Sequence, residues 1–522
     1  MHCLVASLPF LLYSLSALPA PLAAQQTPPT TSDAVAERPL RLGVVQWLRG
    51  NREEEEVIVP PVYSNHLPKT LTYETLVVVD DTGAVRPGLA ESWQRDADGR
   101  RYVFHLRPHA TFHDGSACDA AAVKRYFESW LVRDLDRFIG TCERIRELEV
   151  LDAHTLAIHL REPHAILADL ALMNPMGIVG GRITPPHDYP MIGSGPWRVT
   201  AFEPMRSMRF QRHDGYDGVR PQLAAFEWVT LIAGADRDPI ATWALERGHV
   251  DAVIESWRPS IPRDLARELV AANKARLVQG PGAMVQLLCF NHERGSFAQR
   301  AWRRVVRDAV DRDALVRCVE AGFAQPCTSL FAPAIADWPD HAVVIDPPVD
   351  AAATSPTPAS ATAAATMLVM STDPAQLVLA VELANQLRPH GIALRIDNVT
   401  PAEHGRRVRS GEFDLYVSRT WGTPYDPQAT LHARFRGETR QQRSVFFADP
   451  ELVPLIDAAG ALEAGPERTA LYARVQRLLD ERIAVIPLYV PDRIALLGPD
   501  VDGIELGDVV YGIDLSRLRW RR

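Results

Sequence analysis

From about residue 40 onward, short apolar runs alternate with segments whose apolar positions recur every three or four residues. "RLGVVQW" (41–47) has the character of a strand. "RYVFHLRPHATFHDG" (101–115) alternates apolar and polar positions and predicts strand, turn, strand. "DAAAVKRYFESWLV" (119–132) changes period. Val123, Phe127 and Trp130 fall on one helical face, and Asp119 stands where an N-cap belongs. "HTLAIHLREP" (154–163) predicts another strand, and "DPIATWALERGHVDAVIE" (238–255) a helix running through Gly248 into a strand. Further on, "MVQLLCFNHE" (284–293) predicts a buried strand and "AWRRVVRDAVDRDALVRCVEAG" (301–322) one long amphipathic helix ending at Gly322. From residue 367 the pattern runs strand, helix, strand, helix, strand, ending in "FDLYVSR" (413–419), the signature of a βαβ sheet. A helix, "ERTALYARVQRLLDER" (467–482), and a strand, "VIPLYVP" (485–491), follow.

Two segments break the pattern. Residues 347–366, "PPVDAAATSPTPASATAAAT", contain no aromatic residue and one charge, and predict a flexible insertion. The loop "RTWGTPYDP" (419–427) sets Arg419, Trp421 and Tyr425 within seven residues, beside Gly and Pro. Loops after the carboxyl ends of strands in open α/β sheets are where ligands bind, so these side chains are expected to touch one.

Composition narrows the class. A chain of 522 residues implies two or three domains. With 47% hydrophobic and 23% charged residues it reads as a soluble globular protein. The net charge of −9, from 56 Lys and Arg against 65 Asp and Glu, argues against a nucleic-acid partner. "CLVASLPFLLYSLSALPAPLAA" (3–24) has no charged residue and ends in small ones, which predicts an export signal cleaved near Ala24, with a linker over 25–38. Ser and Pro interrupt that run, so it makes a poor membrane span, and Cys3 precedes it, the wrong side for a lipid-bearing cysteine.

Five cysteines remain after such a cleavage, none spaced as CxxC. Cys318 and Cys327 are near enough in sequence to pair in an oxidising compartment, and the odd count leaves a free thiol. Nucleophile-elbow, phosphate-loop, zinc-protease and dinucleotide motifs are absent from the sequence. His105, His109 and His113 recur every four residues, but they sit on a strand pattern broken by Pro108 and do not form a metal face. The acidic run of residues 53–56 reads as a solvated loop.

Three stretches together resemble one family. They are residues 73–130, with "PGLAESW" and "FHDG"; residues 191–231, with "GSGPW"; and residues 288–316, with "LCFNHERGSF". They are similar to the family 5 solute-binding proteins of bacterial ABC transporters, which bind dipeptides, oligopeptides or nickel. The resemblance runs from about residue 40 to about residue 491, apart from residues 347–366. It implies an α/β, two-lobe periplasmic-binding-protein-like fold with an extra subdomain in the first lobe and a ligand cleft between lobes. The first lobe would span 39–282, with the subdomain at about 71–190, and be completed by 492–522; the second would span 283–491.

Within that family, "SRTWGTPYDPQA" and "SLFAP" (329–333) most resemble the periplasmic nickel-binding proteins. There the matching aromatics face a metal chelate, which puts Trp421 and Tyr425 at the ligand, with Arg419 either fixing the loop or meeting a carboxylate. The matching arginine of residues 170–180 is missing; Asn174 and Met176 occupy that neighbourhood. An arginine-and-aromatic cluster is matched approximately by Arg137 and Phe138. His432 and His66 are the histidines on cleft-lining segments and so the metal-contacting candidates.

The resemblance implies a periplasmic, non-enzymatic, monomeric protein with no tightly bound cofactor. It would capture a nickel or similar metal chelate, the nickel being part of the ligand, and deliver it to an ABC permease and its ATPase. The alternatives are a di- or oligopeptide receptor, an exported hydrolase, and a chemosensory or chaperone-like binding protein.

Overall fold

The computed structural model describes residues 38–47, 70–80, 83–131, 141, 144–171, 192–203, 206–233, 238–255, 259–333, 335, 337–339, 364–420, 427–435, 447, 449–507 and 513–521. The chain divides into a short unit, Met1–Pro39, and a large one, Leu40–Arg522. The large unit is the subject below. The expected signal segment, 1–24, and the linker up to residue 37 lie outside the described residues.

Two sheets, each covered on both faces, organise the large unit. The first has seven strands in the order Arg276–Gly280, Arg493–Leu497, Ala252–Ile254, Leu40–Trp47, Ala225–Ala233, Ser207–Arg212 and Trp197–Glu203. Leu40–Trp47 runs parallel to both neighbours, with Leu42 opposite Trp228 on one side and Ala252 on the other. Successive side chains of a strand point to opposite faces, and the burial follows that rule. Leu42, Val44, Ala252, Ile254, Ala495 and Leu497 enter one core, whereas Val45, Val253, Ile494 and Leu496 enter another. The middle of Leu40–Trp47, residues 42–45, is buried on both faces and has no polar position to alternate, so that stretch is a continuous apolar run.

The second sheet has six strands in the order Ala324–Pro326, Val485–Pro491, Gln286–Phe290, Leu415–Arg419, Ala364–Met370 and Ala393–Val399. Leu287 and Cys289 face one core, Leu288 and Phe290 the other. Ala364–Met370 lies parallel to both Ala393–Val399 and Leu415–Arg419, as the βαβ pattern predicts. Residues 364–366, the end of the tract read as a flexible insertion, open that strand, and the Thr366 amide donates to Asp414 Oδ2 at 2.7 Å. The rest of the tract lies outside the described residues.

A four-stranded antiparallel sheet, Ala90–Arg95, Arg101–Leu106, Thr155–Leu160 and Ile145–Asp152, has its own core. Helix Ala120–Leu131 packs there through fully buried Val123 and Phe127, and Asp119 Oδ1 accepts the Ala122 amide at 2.8 Å, the expected cap. This subdomain is fastened to the neighbourhood of the seven-stranded sheet. Arg107 pairs with Glu74 at 2.7 Å and Asp217 at 3.2 Å, and burial raises the Glu74 pKa. His113 accepts the Gly193 amide at 3.2 Å and lies 3.0 Å from Gly195 O. A Cβ on Gly193 would stand 1.9 Å from Thr72 O, so only glycine fits that turn.

The chain passes between the two large sheets at residues 281–285 and at Asp492. The crossings touch, since a Cβ on Gly282 would lie 1.9 Å from Pro491 O. A buried ion pair sits beside them. Glu255 and Arg263 side chains are 1% and 2% exposed and 2.8 Å apart. Arg263 Nη2 donates to Asp492 O at 2.9 Å, and Glu255 Oε2 accepts the Ile494 amide at 3.0 Å.

Three local expectations are corrected. Residues 301–322 do not form one helix: Arg300–Ala309 and Arg312–Val319 are separate, with Val310 and Asp311 extended. Asp311 accepts the Ala314 amide at 2.9 Å, a cap that competes with helical continuity. The second strand within 101–115 is reduced to a single bridge, Thr111 with Ala117. Cys318 and Cys327 are unpaired, the first exposed and the second buried.

Candidate functional site

Parallel strands in the six-stranded sheet share one carboxyl end, and Arg419 is the last residue of its strand there. Its side chain is 17% exposed and is held on two sides. Nη2 lies 3.4 Å from Asp373 Oδ2, a carboxylate only 2% exposed. Asp373 also caps helix Pro374–Leu387, its Oδ1 accepting the Gln376 amide at 3.3 Å, and Pro374 stands at the first helical position. Gln286 stands opposite Arg419 across the antiparallel pair. With its amide turned to satisfy both partners, the Gln286 oxygen accepts from Arg419 Nε at 2.8 Å and Nη2 at 3.3 Å.

The backbone is held equally firmly. Arg434 donates to Arg419 O. Fully buried Thr420 exchanges bonds with Val285, its amide donating at 3.0 Å and its hydroxyl accepting at 2.9 Å. The chain is next described as helix Pro427–Phe435, anchored by buried Ala429, Leu431 and Phe435. Both flanks of the loop are thus fixed to a rigid sheet and its core. These bonds tie Arg419, at the end of its strand, to Asp373 and to Gln286 of the neighbouring strand.

The sequence-predicted residues divide plainly. Arg419 and His432 are brought to the flanks of one loop, and His432 is half-buried on the helix. Trp421, Tyr425, Arg137, Phe138, Asn174, Met176 and His66 lie outside the described residues. Among the described residues, no group of three or more His, Cys, Asp or Glu side chains could hold a metal ion.

Burial sets the titration of several groups on this sheet and the elements packed against it. The Cys289 thiol, completely buried on Gln286–Phe290, is pushed up to about 11, so it is a packing residue and not a nucleophile. Burial lowers His292 to about 3 and His404 to about 4, which keeps both neutral at pH 7. Burial likewise raises the Asp492 carboxyl at the crossing, where Gln279 Nε2 donates to it at 2.7 Å. The supporting residues Asp373, Gln286 and Thr420 were missed by the sequence reading. Only Asp373 left a signal, as Asp-Pro ahead of a helical pattern.

A profile of bacterial extracellular solute-binding proteins, family 5, matches residues 84–442. The nickel-binding periplasmic protein of Escherichia coli K12 is 24% identical over 482 residues, covering 86% of this chain and 90% of that protein. Among solved structures, NikA from Brucella suis in complex with Fe(III)-EDTA superposes with a TM-score of 0.77 at 23% identity. It covers 92% of this chain and all of that one. The periplasmic binding protein DppA from Helicobacter pylori, in complex with the peptide STSA, gives a TM-score of 0.69 at 19% identity, covering 92% and 98% of the two chains.

Proposed function

The chain belongs to the family 5 bacterial extracellular solute-binding proteins, and from that premise we propose that it captures a nickel or similar metal chelate outside the cytoplasm and delivers it to an ABC permease. The observation that carries the ligand class is the match along 86% of the chain to a nickel-binding periplasmic protein. The loop chemistry supports it. Trp421 and Tyr425 offer flat apolar area with polar edges for a chelate. The anchoring of Arg419 by Asp373 and Gln286 gives that loop a fixed base, which lowers the ordering cost of binding. The metal comes as cargo with its own small ligands, and His432 or His66 completes its coordination. Solute binding then weights the population toward a closed form that docks on the permease.

A second reading, a di- or oligopeptide receptor, draws on one specific observation. Residues 170–180 contain no arginine to clamp a chelator's carboxylates, and a peptide-bound family structure shares the fold.

Thermal unfolding of the metal-stripped mature protein separates the two. A solute held at a hundred times its Kd adds about 2.7 kcal/mol to the folded state. A raised midpoint with nickel plus L-histidine, absent with nickel alone or with di- and tripeptides, is the expected result. Trp421→Ala and Tyr425→Ala are expected to abolish that rise and leave the solute-free midpoint in place. A rise with peptides only would transfer the chain to the peptide branch.

A further inference from the structure

The four-stranded subdomain is fastened on one side to the seven-stranded body through Arg107 with Asp217 and through His113 with Gly193 and Gly195. On another side it meets a helical hairpin of the six-stranded body, helices Leu452–Gly460 and Pro466–Arg482, which pack in that body's core. The meeting is polar and specific. Arg95 Nη2 donates to Ala461 O at 3.0 Å, and Arg95 Nε lies 3.8 Å from Glu463 Oε1. The Tyr102 hydroxyl bonds Glu463 Oε1 and stands 2.9 Å from His164 O. The Arg95 guanidinium also covers the Tyr102 ring at 5.5 Å. Alongside, the Ala165 amide donates to Gly460 O at 3.0 Å. A Cβ at Gly460 would sit 3.4 Å from His164 Cε1, ordinary contact distance, so the two bodies touch here.

We propose that Glu463 is a clasp: gripped by Arg95 and Tyr102, it holds the subdomain of one lobe against the hairpin of the other, with no solute needed, and so sets the weight of the joined arrangement in the ligand-free population. Tyr102 is fully buried in the subdomain core, and its hydroxyl is the one polar atom of its side chain, so the core itself aims that atom at the partner lobe. Glu463 sits in the turn between two packed helices and has little freedom to follow if the lobes part. A carboxylate that accepts from a buried hydroxyl and faces a guanidinium makes a charge-assisted contact, and Glu463 makes it with its side chain 33% exposed. Glu463 is a positioning residue in this scheme. It acts on the arrangement of the lobes, and apparent solute affinity scales with the fraction of molecules in the competent arrangement.

Hydrogen exchange of the ligand-free full chain tests this directly, because the Ala165 amide reports the junction. Glu463→Ala is expected to speed exchange at Ala165 by about tenfold, the change that ~1.4 kcal/mol produces. Amides inside the two joined bodies, Phe104 and Leu288, should keep their wild-type rates. The isosteric Glu463→Gln, which preserves packing and removes the charge facing Arg95, is expected to speed Ala165 several-fold. Unchanged exchange at Ala165, or loss of protection at Ala165, Phe104 and Leu288 together, would overturn the clasp; the second pattern would mark Glu463 as a general stabiliser. The consequence for affinity rests on the solute-binding reading, but this readout uses no solute. The clasp can therefore fail while a thermal shift with solute stands, and the reverse.

Discussion

On helix Pro466–Arg482 the Asp480 carboxyl is mostly buried, and desolvation lifts its pKa to about 6 despite a bond from Gln476 Nε2 at 2.7 Å and the field of Arg307. A carboxyl whose folded pKa lies above its unfolded value holds its proton more tightly in the fold. Its favourable contribution is full at low pH and is lost as pH rises from about 4 through 6. At pH 7 the ionised group therefore costs about 2 to 3 kcal/mol. Asp480→Asn should raise the denaturation midpoint at pH 7 and leave it nearly unchanged at pH 4; equal effects at both values would mean the carboxylate is solvated. Little of this was legible in sequence. Asp480 reads as an ordinary polar position of an amphipathic helix, and only the packing shows it turned inward. The same holds for Arg419, whose role depends on Asp373, 46 residues away, and for Tyr102, whose partner Glu463 is 361 residues away. Pairings at such separations leave no trace in local periodicity.

Elements were far more legible than contacts, because burial on a strand or helix writes itself into the spacing of apolar residues. Helix Ala120–Leu131, with its Asp119 cap, and the parallel set around Ala364–Met370 follow the pattern directly. The failure at residues 301–322 is instructive. Both halves carry helical spacing in phase, so periodicity alone joins them. Asp311 breaks them by capping the second half, and Gln386 locks the break: its Oε1 accepts the Asp311 amide at 2.9 Å while its Nε2 donates to Asp311 O at 3.3 Å. Asp311→Ala should cost about 1 kcal/mol of stability, whereas Asp311→Asn, which keeps the cap, should cost little. Chemical denaturation of both variants checks this, and equal losses would assign the effect to something other than the cap.

At the scale of the whole molecule, the family resemblance carried the two-lobe fold, which periodicity alone does not reach, since it cannot tell which strands share a sheet. The candidate ligand loop was legible through composition and resemblance together, but its support was not. Strand Arg493–Leu497 matters most here. It fills the place between Arg276–Gly280 and Ala252–Ile254 in the seven-stranded sheet, and its Ile494 amide satisfies buried Glu255. A chain stopped after Pro491 keeps every strand of the six-stranded sheet and loses the strand that joins Arg276–Gly280 to the rest of the other. Limited proteolysis of that truncation should digest residues before about 283 and spare a fragment from there to 491; uniform digestion would contradict it.

That late strand also fixes an order of events at synthesis. A polypeptide leaves the ribosome from its N-terminus, and Leu40–Trp47, the centre of the seven-stranded sheet, emerges before every other strand of that sheet. The strand that joins Arg276–Gly280 to that sheet emerges only after every strand of the six-stranded sheet. The half begun first is therefore completed last, and it stays an open, unfinished sheet until the whole of the six-stranded sheet has been made.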